Sequence, residues 1–321
     1  MCNSLNKLLL LGLMICPVIG FSATMGSGST MPVDESKTQF VLDVHASSAL
    51  PHHFRMSSSP YIKELKTPPS REGLNNLLMS GSAQFSAYSL ENAIKVINTQ
   101  PVWIVDLRRE SHGFINGLPV SWYARGNQSN LGLTANEILT KEKSMLQEKA
   151  KEKNIEPHHI KDKANGEIVE SKPVEMKVKN VETEAELAKR LNANYIRIPV
   201  SDHHAPLPEE VDQFVAFVKT LPPNSFLYFH CRGGRGRTTS FMAMYDMLHN
   251  GKNMPLNVIL DRQKMLGGSS LQDISDDPSD AWKLHAAIQR KDFLTTFYEY
   301  ATSSEGYPKN TWQQWLKTQG N

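Results

Sequence analysis

The sequence predicts an α/β fold in which helices flank a central, mostly parallel sheet and a small antiparallel subdomain lies beside it. Three observations carry this. Runs rich in β-branched and aromatic residues at 102–107, 194–200 and 226–229 each lead into a polar loop and toward a helical pattern, the order of a sheet built from crossover units. The stretch 160–181 changes character: Asn165-Gly166 separates two short strands, and Val174, Met176 and Val178 alternate, which marks antiparallel pairing. A chain of 321 residues can also bury a substantial core, as one large domain or one domain with an elaboration.

Residues 1–23 hold Lys7, an apolar run from Leu8 to Gly20, and small residues at Gly20, Ser22 and Ala23. This is the pattern of a secretory signal peptide, and it is too short for a membrane span. Its removal would take Cys2 and Cys16 with it and leave Cys231 as the one cysteine of an exported chain, with no partner for an intrachain disulfide. Residues 24–37, rich in Gly, Ser, Thr and Met, read as a flexible leader, and 38–321 as the folded domain.

In that domain, Phe40, Leu42 and Val44 alternate as an edge strand that could complete the small subdomain of about 155–181. Residues 70–86 form a short strand or turn region before a helix at 90–98. The strand at 102–107 runs into a polar loop at 108–113, the kind that binds ligands at the C-terminal edge of a parallel sheet. Asn116-Gly117 marks a turn with Ser121-Trp122-Tyr123 packed behind it, and 137–153 is a solvated amphipathic helix. Helices follow at 182–191, at 208–221 with Val211, Phe214, Val215 and Val218 inward, and at 256–266, ending at Gly267-Gly268. A long helix at 281–300 carries Lys283 and Arg290 on one face, and the tail docks through Trp312 and Trp315.

The chemistry concentrates between Phe226 and Thr239. Cys231 is followed six residues later by Arg237, with Gly233, Gly234 and Gly236 between them, and Thr238 opens a helix. Glycines let successive N–H groups turn inward as an anion nest, and the helix aims its positive end at the same point. An oxyanion held there by backbone amides and the Arg237 fork sits against the sulfur, which in such surroundings is the thiolate that attacks phosphorus. Thr238 is placed to hydrogen-bond the sulfur as it leaves. The plainer reading is a buried strand-end cysteine followed by a basic turn. Asp202, on a loop after the strand at 194–200, suits a general acid that protonates the leaving oxygen; it also suits a turn or helix cap. Arg55 is a surface charge or a phosphate contact, and Gln263 an exposed side chain or the group that positions the hydrolytic water. The pairs His52-His53, His158-His159 and His203-His204 have no zinc spacing around them, so no metal or cofactor is expected, and His230 reads as a brace for the loop. A net charge of +2 is too small for general nucleic-acid binding.

The spacing His-Cys-x5-Arg-Thr is the signature of the protein tyrosine phosphatase superfamily, whose fold it implies. Together with Phe54-Arg55, Ser80-Gly81-Ser82-Ala83, Asp106 through Gly113, Pro119 through Tyr123, Asp202-His203, Arg262-Gln263, Gly267-Gly268, Trp282-Lys283 and Trp315-Leu316-Lys317, it makes nearly all of the chain after about Thr38 resemble the PTP-like inositol polyphosphatases of bacteria, the cysteine phytases. The resemblance implies a phosphatase core beside a small partial barrel. It also implies stepwise removal of phosphates from myo-inositol hexakisphosphate or lower inositol phosphates through a phosphocysteine. By position, Cys231 is nucleophile, Arg237 the phosphate clamp and Asp202 the general acid. His203, Arg55, Lys283 and Arg290 become substrate contacts, with Arg290 standing where the family carries lysine. The chain departs from the family at Arg232-Gly233, where Glu-Ala is expected, and at Arg235, where an apolar residue is. Basic residues there look like the phosphoinositide phosphatases of the superfamily, which keeps a phosphoinositide or phosphotyrosine substrate in a host cell as the alternative. A catalytically dead phosphate-binding module ranks below both, because Cys231, Arg237, Thr238 and Asp202 are all present.

Overall fold

The computed structural model describes residues 37–44, 48–275 and 277–320. The signal-peptide pattern at 1–23 and the leader up to residue 36 lie outside the described residues. Along the chain, β1 (Gln39–Leu42) and β2 (Arg55–Met56) are followed by β3 (Met79–Ser82), α1 (Ala87–Ile97), β4 (Val102–Asp106), β5 (His112–Ile115), β6 (Leu118–Tyr123) and α2 (Ala135–Lys151). Then come β7 (Asn154–Ile155), β8 (His158–Ala164), β9 (Glu167–Pro173), β10 (Met176–Lys177), β11 (Val181–Glu182), α3 (Glu184–Arg190) and β12 (Asn194–Arg197). The C-terminal part consists of α4 (Pro208–Thr220), β13 (Phe226–His230), α5 (Gly236–Asn250), α6 (Leu256–Met265), α7 (Leu284–Thr302) and α8 (Trp312–Thr318).

The central sheet has the order β12-β4-β13-β3-β2, parallel except for the edge strand β2. In its middle, β13 (Phe-Leu-Tyr-Phe-His) is buried at every position, as a parallel strand covered on both faces must be. On one face α4 to α8 pack over Leu227, Phe229 and Val105; on the other, α1 and α3 cover Ile104, Phe226 and Tyr228. Trp312 and Trp315 are buried against Tyr300, so the tail docks as expected. The helices start where side chains satisfy the free N–H groups: Ser86 with Ser89, Thr134 with Glu137, Thr183 with Glu186 and Thr311 with Gln314. No helix among the described residues is long and apolar enough to cross a membrane.

The second sheet has the order β11-β5-β6-β1-β8-β9 and corrects two expectations. β1 lies inside this sheet, between β6 and β8, and is not an edge strand. The stretch 112–123, read as the end of a polar loop and a turn, forms the hairpin β5–β6 around Asn116 and Gly117, whose positive φ values of 55° and 76° close a tight connection. A third correction concerns 281–300. A 3-10 turn, Pro278–Lys283, precedes α7, so Lys283 sits at a junction rather than on one helix face with Arg290.

Candidate active site

β13 delivers Cys231 to the C-terminal edge of the central sheet, and α5 leaves from Gly236, so the intervening loop wraps the point where strand ends and helix begins. Gly234 has a φ of 67°, and a Cβ there would stand 2.1 Å from the backbone nitrogen of Ala83, so no other residue fits. None of the N–H groups of Arg232, Gly233, Gly234 or Arg235 donates to a protein acceptor among the described residues, which leaves them for a ligand. The Thr238 hydroxyl donates to Cys231 Sγ at 3.1 Å. Gly81 in β3 allows α5 this close approach, since a Cβ would stand 2.7 Å from Thr238 Cγ2 and 2.5 Å from Met242 Sδ.

Arg55 is neither a surface charge nor free. It is buried beneath the loop, where Nη1 donates to the Gly234 carbonyl at 2.9 Å and Nη2 to Thr239 Oγ1 at 3.0 Å. Burial pulls it down to about 10, against the attraction of Cys231. Arg55 therefore locks the loop's shape and adds positive charge behind it.

Arg237 is held by a residue that motif reading passed over. Glu110, fully buried, accepts Nη1 at 2.8 Å and Nη2 at 3.1 Å in a two-pronged pair, and Nη1 also donates to the carbonyls of Leu107 and Val200. The Glu110 carboxylate also accepts from Arg108 Nε and Asn127 Nδ2, each at 2.8 Å. Burial would raise its pKa, but Arg237 and Arg108 outweigh that and hold it far below the usual range. The Arg197 guanidinium fixes the loop itself, donating to the carbonyls of Arg108 and Glu110 at 2.8 Å. Glu110→Gln should therefore lower kcat/KM by roughly 10- to 100-fold, the worth of a charge-assisted hydrogen bond, as Arg237 loses its orientation. Steady-state kinetics on folded protein checks this; an unchanged kcat/KM would assign Glu110 to stability alone.

Asp202 approaches from the loop after β12. Its Oδ2 lies 3.1 Å from Arg237 Nη2 and accepts from Asn127 Nδ2 at 2.8 Å. Burial would raise the carboxyl, but Arg237 and then His203 outweigh it and keep it below its ordinary value. The structure thus brings the Asp202 carboxyl directly against the Arg237 guanidinium.

Behind the loop His230 is buried, with Nε2 2.5 Å from Glu184 Oε1, close to Asp106 and His112. Asp106, Glu184 and His230 could be read as a metal cluster. The 2.5 Å separation argues otherwise, because two donors about 2.0–2.1 Å from a tetrahedral ion stand roughly 3.3 Å apart. Asp106 overcomes the burial that would keep His112 neutral and pushes it up to about 10, so the set reads as a buried ion-paired cluster behind the Cys231 loop.

A cationic rim surrounds this centre. Arg232 Nε donates to Asp43 Oδ1 at 2.8 Å, and exposed Arg235 donates from Nε to Ser269 Oγ at 3.2 Å. Arg290 Nη1 donates to the His203 carbonyl and would lie 3.3 Å from a Cβ on Gly236, so it overhangs the loop. His203 packs edge-on against Trp282 at 5.0 Å, and Lys283 pairs with Asp280 at 2.6 Å. Trp282 also covers Gly126 and Gly166, tying the β8–β9 turn to the Asp202 loop. Lys163, from that hairpin, adds a further cation, its Nζ 5.6 Å from the Tyr123 ring centroid. Gln263 stands apart: it is fully buried, not exposed, and its Nε2 donates to Asp246, nearly three turns along α5 beyond the loop.

The sequence profile described as PTP-like phytase, inositol hexakisphosphate, matches residues 105–249, which run from β4 through the Cys231 loop. The structure of a PTP-like phytase from Bdellovibrio bacteriovorus superposes with a TM-score of 0.70 at 30% identity, covering 90% of this chain and 97% of that one. The chain belongs to the PTP-like phytase family. Its similarity to the PTP-like myo-inositol phosphatase of Mitsuokella multacida, solved with myo-inositol-(1,3,4,5)-tetrakisphosphate, is higher in structure, with a TM-score of 0.82 at 34% identity, covering 88% of this chain and 48% of that one. The effector protein hopD2 of Pseudomonas syringae pathovar tomato is 30% identical over 294 residues, 89% of this chain. This phytase-family chain thus spans about half of the Mitsuokella chain and 61% of the effector.

Within the phytase-family frame, the residues that motif reading missed are Glu110, Asn127, Asp43 and Lys163. One signal was available: Glu110 follows Arg108-Arg109 on a loop at the C-terminal edge of the sheet, where a carboxylate beside a phosphate site needs a cation to justify it.

Proposed function

We propose that this protein is a cysteine-dependent phosphatase of inositol polyphosphates that removes phosphates stepwise from myo-inositol hexakisphosphate. The observation that carries this reading is Arg237, gripped on one side by Glu110 and touching Asp202, in a loop whose sulfur accepts the Thr238 hydroxyl bond. The phosphoryl oxygens take the free loop N–H groups and the Nε edge of Arg237, whose Nε has no partner among the described residues while Glu110 holds the opposite edge; together these carry the negative charge through the transition state. Cys231 Sγ attacks phosphorus, the bond to the inositol oxygen breaks, and Asp202 gives that oxygen its proton. Water then attacks the phosphocysteine while Asp202 takes a proton back, and the sulfur leaves into the Thr238 hydrogen bond. Arg290, Lys283, Arg235 and Arg55 supply the positive surroundings that a crowded polyanion needs, and His203, held below the ordinary imidazole value by burial and the cations around it, offers a hydrogen bond.

A second reading, a phosphoinositide or phosphotyrosine substrate in a host cell, is favoured by Arg232 and Arg235 in the loop and by the likeness to an effector. It goes with export of the chain. Phosphate release from inositol hexakisphosphate and from a phosphoinositide, measured in parallel, tests both. A large preference for the soluble hexakisphosphate is expected. Preference for the lipid would transfer the assignment to the second reading, and release from neither would remove both.

A further inference from the structure

Asp202 is the second residue of a tight turn, Ser201 to His204, closed by the His204 N–H on the Ser201 carbonyl at 3.3 Å. The third residue, His203, has a φ of 67°, at a turn position that ordinarily carries glycine. In that conformation the His203 N–H donates to Asp202 Oδ1 at 3.0 Å, while Asn127 Nδ2 donates to Oδ2 at 2.8 Å. The direction of the carboxyl thus depends on a histidine in a disfavoured backbone region, which persists only where the surroundings hold it.

Two contacts from the C-terminal part hold it. Arg290 Nη1 donates to the His203 carbonyl at 3.1 Å, and the Trp282 ring meets the imidazole edge-on, with centroids 5.0 Å apart at 80°. Trp282 has a firm backing in the small sheet. A Cβ on Gly126 would stand 3.0 Å from its Cζ3, and one on Gly166 3.3 Å from its Cη2, so the indole presses on two glycine backbones of positive φ. These are tied together: the Gly126 N–H and the Tyr123 hydroxyl both donate to the Gly166 carbonyl at 2.7 Å. Asn127 follows Gly126 directly. The turn after β6 therefore reaches the acid twice, through the Asn127 amide on Oδ2 and through Trp282 and His203 on Oδ1.

We propose that Trp282 is a positioning residue for the leaving-group acid. Wedged between the Gly126–Gly166 contact and the His203 ring, it holds the 201–204 turn in the conformation that aims the Asp202 carboxyl. This rests on the reading of Asp202 as general acid of a phosphomonoesterase. Trp282 acts through His203, so its effect is confined to the step that needs the proton. A tryptophan that only fills space would, when replaced, weaken turnover of every substrate alike.

The test measures kcat and KM for wild type, Trp282→Phe and Trp282→Leu, each with and without Asp202→Asn. The substrates are inositol hexakisphosphate and an aryl phosphate whose leaving oxygen needs little help. Leucine keeps apolar volume without a ring edge and phenylalanine keeps the edge, and circular dichroism verifies that both fold. Trp282→Leu should lower kcat on the hexakisphosphate by roughly 10- to 100-fold, the cost of a misplaced catalytic group. Lys283, the next residue, is anchored on Asp280 at 2.6 Å, so KM should move by less than about threefold. On the aryl phosphate the loss should stay under about threefold. Trp282→Phe should recover most of the loss. On top of Asp202→Asn, Trp282→Leu should cost almost nothing further, because the group it positions is gone. Equal losses on the two substrates, or a full additional loss in the Asp202→Asn background, would overturn the proposal and leave the phosphatase reading standing. Wild type active on the aryl phosphate and not on the hexakisphosphate would remove the inositol reading alone. An alkyl phosphate then takes its place in the comparison, with the same two results deciding for or against Trp282. Wild type inactive on all three esters would remove the phosphatase reading and this proposal with it.

Discussion

Cys231→Ser is expected to abolish phosphate release, with a loss of about 10⁴- to 10⁶-fold, while the protein still binds its anionic ligand. The reason lies in what surrounds the sulfur. Thr238 donates to Sγ at 3.1 Å, an arrangement that suits an anionic sulfur and offers no base for a serine proton. On this reading Asp202 must carry the proton for the leaving oxygen in the first step, and His230 faces Glu184, so neither takes the proton of a serine hydroxyl. The binding parts, in contrast, do not depend on the sulfur. Arg237 remains gripped by Glu110, and the loop N–H groups remain inward because Gly234 and Arg55 set their path. Phosphate release from inositol hexakisphosphate, with calorimetric binding of the same ligand, separates the two effects. A residual rate within tenfold of wild type would sink the nucleophile assignment. Lost binding along with lost turnover would point to a collapsed loop, and circular dichroism would identify that case.

The candidate catalytic residues were legible in the sequence because their geometry is local. Cys231, Gly234, Arg237 and Thr238 lie within eight residues of one another, and strand, loop and helix around them leave little freedom. Asp202 was legible from topology, as a carboxyl on the loop after a parallel strand. Glu110, Asp43 and Lys163 were not, because each reaches the site across the fold from a segment with its own plausible reading: a polar loop, a strand end and a solvated hairpin. Strand β3 shows the same limit in the fold. Met79-Ser80-Gly81-Ser82 has little β propensity, yet it is buried beside β13 because Gly81 lets Met242 and Thr238 press against it. Packing decided there, and no window of sequence contains the partner. Gln263 failed for the converse reason: its position beside Arg262 suggested the site, while its side chain turns to Asp246.

Asp202→Asn should lower kcat by roughly 10²- to 10⁴-fold and also change the shape of the pH profile. A leaving-group acid works only when protonated. In the free protein Arg237 and His203 outweigh burial and hold the Asp202 carboxyl below its ordinary value, so it loses its proton early as pH rises. For kcat/KM, which reports the free enzyme, the limb that falls with rising pH should therefore lie in the acid range. A bound phosphate dianion neutralises Arg237 and adds negative charge beside Asp202, which raises its pKa. The falling limb of kcat should then lie at higher pH than that of kcat/KM. Asparagine cannot give up a proton, so both limbs assigned to Asp202 should disappear in the variant, the substrate's own ionisation being common to the two proteins. The loss should shrink with an aryl phosphate, whose leaving oxygen needs little help, and be largest with inositol phosphates. An equal loss with both leaving groups and an unaltered pH profile would mean that Asp202 only orients Arg237, and the proton for the inositol oxygen would have to come from elsewhere.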